Sequence, residues 1–200
     1  MIYIEGARNA GKTYLIDRYL KEFPNKFFIY KFPYFLLYNK LNLGKELNAG
    51  SYFSFGKDLD LLSLAKANLL PKNLFLDRGF VSSIVFAILF RRARPEDMTN
   101  FIEMIKESYR DVEINILYIE PNVQARSKLG LDDREKDQIE LPALNLLNNT
   151  ITDKSYEFYY KWVFSQLLNS PNITIHTFTN NFDEESVLAF NSLVNSFYQN

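Results

Sequence analysis

The chain contains no cysteine. That excludes disulfides and thiolate-held zinc. It has one histidine, His176, set in the apolar alternation Ile173-Thr174-Ile175-His176-Thr177-Phe178. With no second histidine to share a metal, His176 reads as a strand residue. No charge of one sign dominates: 23 Lys and Arg face 24 Asp and Glu. The balance gives no general pull toward nucleic acid or an anionic membrane, although a local basic groove is compatible with it. Long hydrophobic runs are also missing. The most apolar stretch, Phe80 to Phe90, carries two serines and is too short to span a bilayer. There is no basic leader with a cleavage site, no internal repeat and no second domain boundary. The expectation is one soluble, cytoplasmic domain over residues 1–200.

What is present begins at once. Gly6, Gly11, Lys12 and Thr13 fit the phosphate-loop pattern G-x-x-x-x-G-K-[ST] without a mismatch. The apolar run Ile2 to Ile4 reads as a buried strand before it, and Tyr14 to Leu20 as an amphipathic helix behind it. Such a loop turns backbone N–H groups inward around an anion, and the helix N-terminus adds partial positive charge. The segment Gly6, Ala7, Arg8, Asn9, Ala10, Gly11, Lys12 and Thr13 is therefore the expected binding site for the phosphates of ATP. Lys12 is expected to reach the terminal phosphates, and the Thr13 hydroxyl to hold Mg²⁺.

Strand and helix patterns then alternate. Strands are expected at Lys26–Phe32, Asn73–Asp77, Ile114–Ile119 and Ile173–Phe178. Helices are expected from about Leu36 to Leu47, then Asp58–Leu70, Gly79–Arg92, Pro95–Tyr109, Pro121–Lys128, Leu144–Leu168 and Asp183–Phe197. The stretch Asn48-Ala49-Gly50-Ser51 is read as a break, and Pro71 as the stop of the helix before it. The pattern predicts an α/β fold: a five-stranded parallel sheet with helices on both faces. Sites in such sheets lie at the carboxyl ends of the strands.

That rule selects Asp77, an acid closing a buried strand, as a magnesium-organising carboxylate or a base. Arg78 follows it as a phosphate clamp. Phe32, at the end of the second strand, is placed to stack on a nucleobase. Arg126, Lys128 and Arg134 surround a charged segment, a lid at about 126–140, whose arginines can stabilise a phosphoryl in transit. Arg91, Arg92 and Arg94 read as cations offsetting the dipole at a helix C-terminus.

These residues resemble those of a family. Ile4-Glu5-Gly6 with Gly11-Lys12-Thr13 looks like the phosphate loop of thymidylate kinases. Lys31-Phe32-Pro33-Tyr34 resembles their segment after the second strand. Asp77-Arg78-Gly79-Phe80-Val81-Ser82-Ser83 resembles their D-R stretch, and Arg126 with Arg134 to Glu140 is similar to their lid. Val85-Phe86-Ala87 also looks like deoxynucleoside kinases, which share the fold. The resemblance implies an ATP-dependent phosphotransferase. Lys12 and Thr13 would serve ATP and Mg²⁺, Arg78 the acceptor, Phe32 its base, and Arg134 the lid. The chain departs from the family pattern at Arg8, where thymidylate kinases carry an acid in the loop. It departs again at Phe32, where deoxynucleoside kinases carry a glutamate, and at Gln138, where the lid carries an arginine.

The function expected is transfer of the ATP γ-phosphate to a small nucleoside or nucleotide. A kinase acting on a nucleotide within a polynucleotide is the second reading, with nucleic acid as its partner. A regulatory ATPase or degenerate kinase is the third. No membrane partner is expected, and a homodimer is compatible with the chain.

Overall fold

Five short strands lie side by side in one parallel sheet. They are β1 (Ile2–Glu5), β2 (Phe28–Tyr30), β3 (Leu74–Asp77), β4 (Ile114–Pro121) and β5 (Ile173–Asn180). Their order is β2-β3-β1-β4-β5, and every neighbouring pair is parallel. The helices are α1 (Lys12–Glu22), α2 (Leu47–Lys66), α3 (Phe80–Leu89), α4 (Pro95–Ser108), α5 (Val123–Lys128), α6 (Asp153–Leu167) and α7 (Glu184–Ser196). This computed structural model describes residues 1–7, 9–24, 28–30, 47–71, 73–89, 92–128 and 153–198, with 28–30, 47–53 and 153 described by backbone alone.

The period-2 alternation of the strands divides the core in two. Tyr3, Leu74, Leu76, Ile114, Ile116 and Tyr118 face one side, where α2, α3, α4 and α6 cover them. Ile2, Ile4, Phe75, Leu117 and Ile119 face the other, under α1 and α7. Burial on both faces explains why β1, β3 and β4 read as continuous apolar runs, while β5, exposed along much of its length, reads as an alternation. The expected sheet, with helices on both faces, is the one observed.

Two features fix α1, and with it the loop in front of it. The Tyr19 hydroxyl donates to Asn195 Oδ1 at 2.8 Å, and Asn191 Nδ2 donates to Glu22 at 2.6 Å, tying α1 to α7. At the other sheet face, Gly79 lets α3 start against β1. A Cβ at Gly79 would lie 1.9 Å from Cδ1 of Tyr3, so no larger residue fits without moving a fully buried ring.

Several boundaries differ from the sequence reading. The expected break at Asn48–Ser51 is helical: α2 runs unbroken from Leu47 to Lys66. Gly50 and Gly56 each weaken a helix by roughly 1 kcal/mol, but no proline interrupts the run, and packing outweighs the local penalty. The helix also stops before Leu70 and Pro71. Asn68 takes a left-handed conformation (φ 55°), and Leu69 N–H donates to the Leu64 carbonyl at 2.9 Å. An αL asparagine closes this helix, so Leu69 falls outside it and is 69% exposed. Likewise α3, described over Phe80–Leu89, does not reach Arg92, and Arg94 does not serve its C-terminus. It caps the next helix instead, with Nε 3.0 Å from Asp97 Oδ2. Arg91 lies outside the described residues, as do the helix expected at 36–46 and residues 129–152.

Candidate functional site

β1 ends at the middle of the sheet, where the strand order turns from β3 on one side to β4 on the other. This is the switch point at which an open α/β sheet offers a crevice. The chain leaves β1 through Gly6 and re-enters a helix at Lys12. Gly11 is the N-cap of α1, with φ 83° and ψ 11°, a left-handed conformation suited to glycine. A Cβ there would come within 2.2 Å of Asn180 Nδ2. Asn180 holds the loop from the far side: its Nδ2 donates to the Ala10 carbonyl at 3.0 Å. The loop is thus braced by the last residue of β5.

Lys12 is 5% exposed. Its Nζ donates to the carbonyls of Gly6 at 2.8 Å and Ala7 at 2.6 Å. Burial lowers its pKa well below the ordinary value, and the charge of Arg78 lowers it further, while Asp77 and Glu5 pull it back up. The ammonium therefore sits among two carboxylates and a guanidinium, on carbonyls that a stronger acceptor such as phosphate can displace.

Arg78 comes from the end of β3. Its amide continues the ladder by donating to the Ile4 carbonyl at 3.0 Å, but its own φ is 69°. A left-handed arginine costs about 1 kcal/mol or more and persists only where its surroundings hold it. Here they do. Its guanidinium lies 4.8 Å from the ring centroid of Phe86, and Nη1 donates to the Gly6 carbonyl at 3.2 Å. Asp77 pairs in register with Ile4, which places it beside the start of the loop. Thr13, next to Lys12 in the first turn of α1, is exposed. Arg126 lies on α5, just past the end of β4, and is 5% exposed.

Gly6, Lys12, Asp77 and Arg78, each expected at the site, are brought together; Ala7, Asn9, Ala10, Gly11 and Thr13 complete the described loop. Arg8, Phe32 and Arg134 lie outside the described residues, as does most of the lid at 126–140.

Other residues at this place escaped the sequence reading. Glu5 is fully buried, and its Oε1 accepts from the Gly79 amide at 2.9 Å. Ser82 bonds its other oxygen. The Tyr160 hydroxyl, from α6, donates to the Gly6 carbonyl at 2.9 Å and lies 2.8 Å from Ser82 Oγ. Burial raises the Glu5 pKa from 4.5 to about 7, against hydrogen bonds from Ser82 and Gly79 and the charge of Arg78. A carbonyl has no proton to give, so Tyr160 donates to Gly6, while Ser82 donates to Glu5. Glu5 has the signature that selected Asp77, an acid ending a buried strand. Tyr160 has none, because 154 residues separate it from Gly6.

A second buried cluster lies between α2 and α3. Ser83 Oγ donates to Asp58 at 2.5 Å and sits 2.5 Å from Ser54 Oγ, and Lys57 pairs with Asp58 at 2.8 Å. Burial raises the Asp58 pKa, with Lys57 and Ser83 opposing. Among the described residues no group of three or more His, Cys, Asp or Glu could hold a metal by itself, and no helix is long and apolar enough to cross a membrane.

The sheet order and the loop at its switch point make up a fold that solved deoxynucleoside kinase structures share. Solved structures show the same fold along nearly the whole chain. Deoxyadenosine kinase from M. mycoides with bound dATP superposes with a TM-score of 0.56 at 17% identity, covering 97% of this chain and 98% of that one. The same enzyme with bound dCTP gives 0.54 at 16%, covering 98% and 100%. The YorR protein of Bacillus subtilis, in complex with phosphorylated GDP, gives 0.52 at 18%, covering 100% and 98%. No protein-family model and no curated protein matches the sequence.

Proposed function

We propose that this chain is a phosphotransferase that moves the γ-phosphate of ATP to a small nucleoside or nucleotide. The observation that carries this reading is the convergence of the Lys12 ammonium and the Arg78 guanidinium on one carbonyl of the loop. Two cations directed at a single oxygen form a ready cradle for a phosphate, which offers several oxygens of higher charge. A deoxyadenosine kinase of like fold with dATP bound, and the YorR protein with phosphorylated GDP, support a nucleotide ligand here.

In this reading Gly6 to Thr13 wrap the phosphates with backbone N–H groups and the N-terminal end of α1. Lys12 neutralises the terminal phosphate, and Arg78 clamps the phosphoryl group or the acceptor. Phe32 and Arg134 keep the roles of base stacking and lid arginine, and Arg126 would contact ATP. A hard divalent cation fits the donor set. The exposed hydroxyl of Thr13 and the carboxylate of Asp77 are both oxygen ligands, and Mg²⁺ takes one or two of these together with phosphate oxygens. Bound there, Mg²⁺ would neutralise charge on the phosphates. Asp77 would also be the group to accept the acceptor's hydroxyl proton. A cytoplasmic location, with its supply of ATP, goes with this reading.

The polynucleotide reading keeps less support. Arg94, one of its three cluster arginines, is engaged by Asp97 on its own helix. One panel separates the readings: labelled ATP with Mg²⁺ against nucleosides, nucleoside monophosphates and DNA ends. Label on a small acceptor supports the proposal. Label on DNA alone, or ATP hydrolysis with no acceptor labelled, overturns it.

A further inference from the structure

The Gly6 carbonyl receives three donors: Lys12 Nζ at 2.8 Å, Tyr160 Oη at 2.9 Å and Arg78 Nη1 at 3.2 Å. A carbonyl oxygen has two lone pairs. The three donors are not equivalent. Lys12 and Arg78 are charged, and a phosphate in the loop would draw them off the carbonyl. Tyr160 is neutral and fully buried, and it is packed into the core on α6 with its ring 5.0 Å from that of Tyr118. It cannot follow.

We propose that Tyr160 is a positioning residue: its hydroxyl keeps the Gly6 carbonyl satisfied while Lys12 and Arg78 turn to phosphate. Without that donor, the Gly6 carbonyl becomes a buried, unsatisfied acceptor once both cations have left it, so the loop holds the second cation back. An unsatisfied buried acceptor is costly, and the cost falls on phosphate binding rather than on folding, because in the unliganded chain Lys12 and Arg78 still serve the oxygen. Ser82 sets the rotamer: its Oγ lies 2.8 Å from the Tyr160 hydroxyl, and it is itself held by Glu5. The inference rests on the proposed function for its ligand, a nucleoside triphosphate.

The test uses three chains: the unsubstituted one, Tyr160→Phe, and one with 4-aminophenylalanine at position 160, which keeps an N–H donor in place of the hydroxyl. MgATP affinity is measured by calorimetry and thermal stability by melting. The expected result is about tenfold weaker ATP binding in Tyr160→Phe, with affinity within about threefold of the unsubstituted chain for the amino variant. Unchanged affinity in Tyr160→Phe overturns the inference and leaves the function standing. Equal weakening in both variants marks a packing defect and also overturns it. Absence of triphosphate binding by the unsubstituted chain overturns both. Should Tyr160→Phe fail to fold, hydroxyl-proton exchange of Tyr160 is followed by NMR in the unsubstituted chain. Protection that persists with ATP bound supports the inference, and protection lost on binding overturns it.

Discussion

Lys12 and Arg78, 66 residues apart by number, place their charges on the same oxygen: Nζ of one and Nη1 of the other approach the Gly6 carbonyl at 2.8 and 3.2 Å. Each lowers the cost of assembling phosphate negative charge at that point, and each raises the cost of the other's presence without it. The site is thus poised for an anion.

Replacing Arg78 by alanine removes the contacts with the Gly6 carbonyl and Phe86 and, in the proposed function, the clamp on phosphate. The expected outcome is a fall in transfer rate of about a hundredfold, with a smaller loss in ATP affinity than Lys12→Ala produces. Steady-state kinetics with calorimetry beside it checks both. An unchanged KM for the acceptor together with an unchanged kcat contradicts the assignment.

In the proposed function Asp77 serves the metal or the acceptor proton, not the loop's hold of ATP. Asp77→Asn should bind ATP within a few-fold of the unsubstituted chain and lose transfer by about a hundredfold or more. Radiolabel transfer and equilibrium binding on the same preparation measure the two. Retained transfer would leave Asp77 as a structural acid.

Glu5 gives the fold a pH dependence of known sign. Its pKa stands at 4.5 in the ordinary state and at about 7 in the folded chain. Below pH 4.5 both states hold the proton. Between 4.5 and 7 the folded chain keeps a proton the unfolded chain has released, so stability falls as pH rises through that window, by about 3 kcal/mol from this residue. Urea unfolding at pH 5 and pH 8 measures the slope. Glu5→Gln should flatten it, and an equally steep slope in that variant would contradict the assignment.

The sheet was legible because β1, β3 and β4 are apolar runs buried on both faces and β5 alternates, and the loop because four residues at fixed spacing match its motif. Asp77 and Arg78 followed from one rule, that sites sit where parallel strands end. The rule applies equally to Glu5, whose place just before the loop hid it behind the motif. The false break at Asn48–Ser51 came from reading glycine as a stop, when a helix with enough buried partners carries two of them. Tyr160 left no trace, because a buried tyrosine on an apolar helix face looks like any other core aromatic until the fold brings it to Gly6.

Gly79 sets the approach of α3 to β1, and it admits no side chain. Gly79→Ala must push the Tyr3 ring aside, at a cost of about 3 kcal/mol. For a domain of this size that is a drop in melting temperature of about 10 °C. A melt within about 2 °C of the unsubstituted chain would show that the Tyr3 ring has room the packing does not reveal.

The central claim, that residues 6 to 13 hold a triphosphate through Lys12, is tested most directly by isothermal titration of MgATP into the unsubstituted chain and into Lys12→Ala. The account predicts saturable uptake at one site per chain and no measurable heat of binding in the variant. No uptake by the unsubstituted chain, or equal uptake by both, would contradict it.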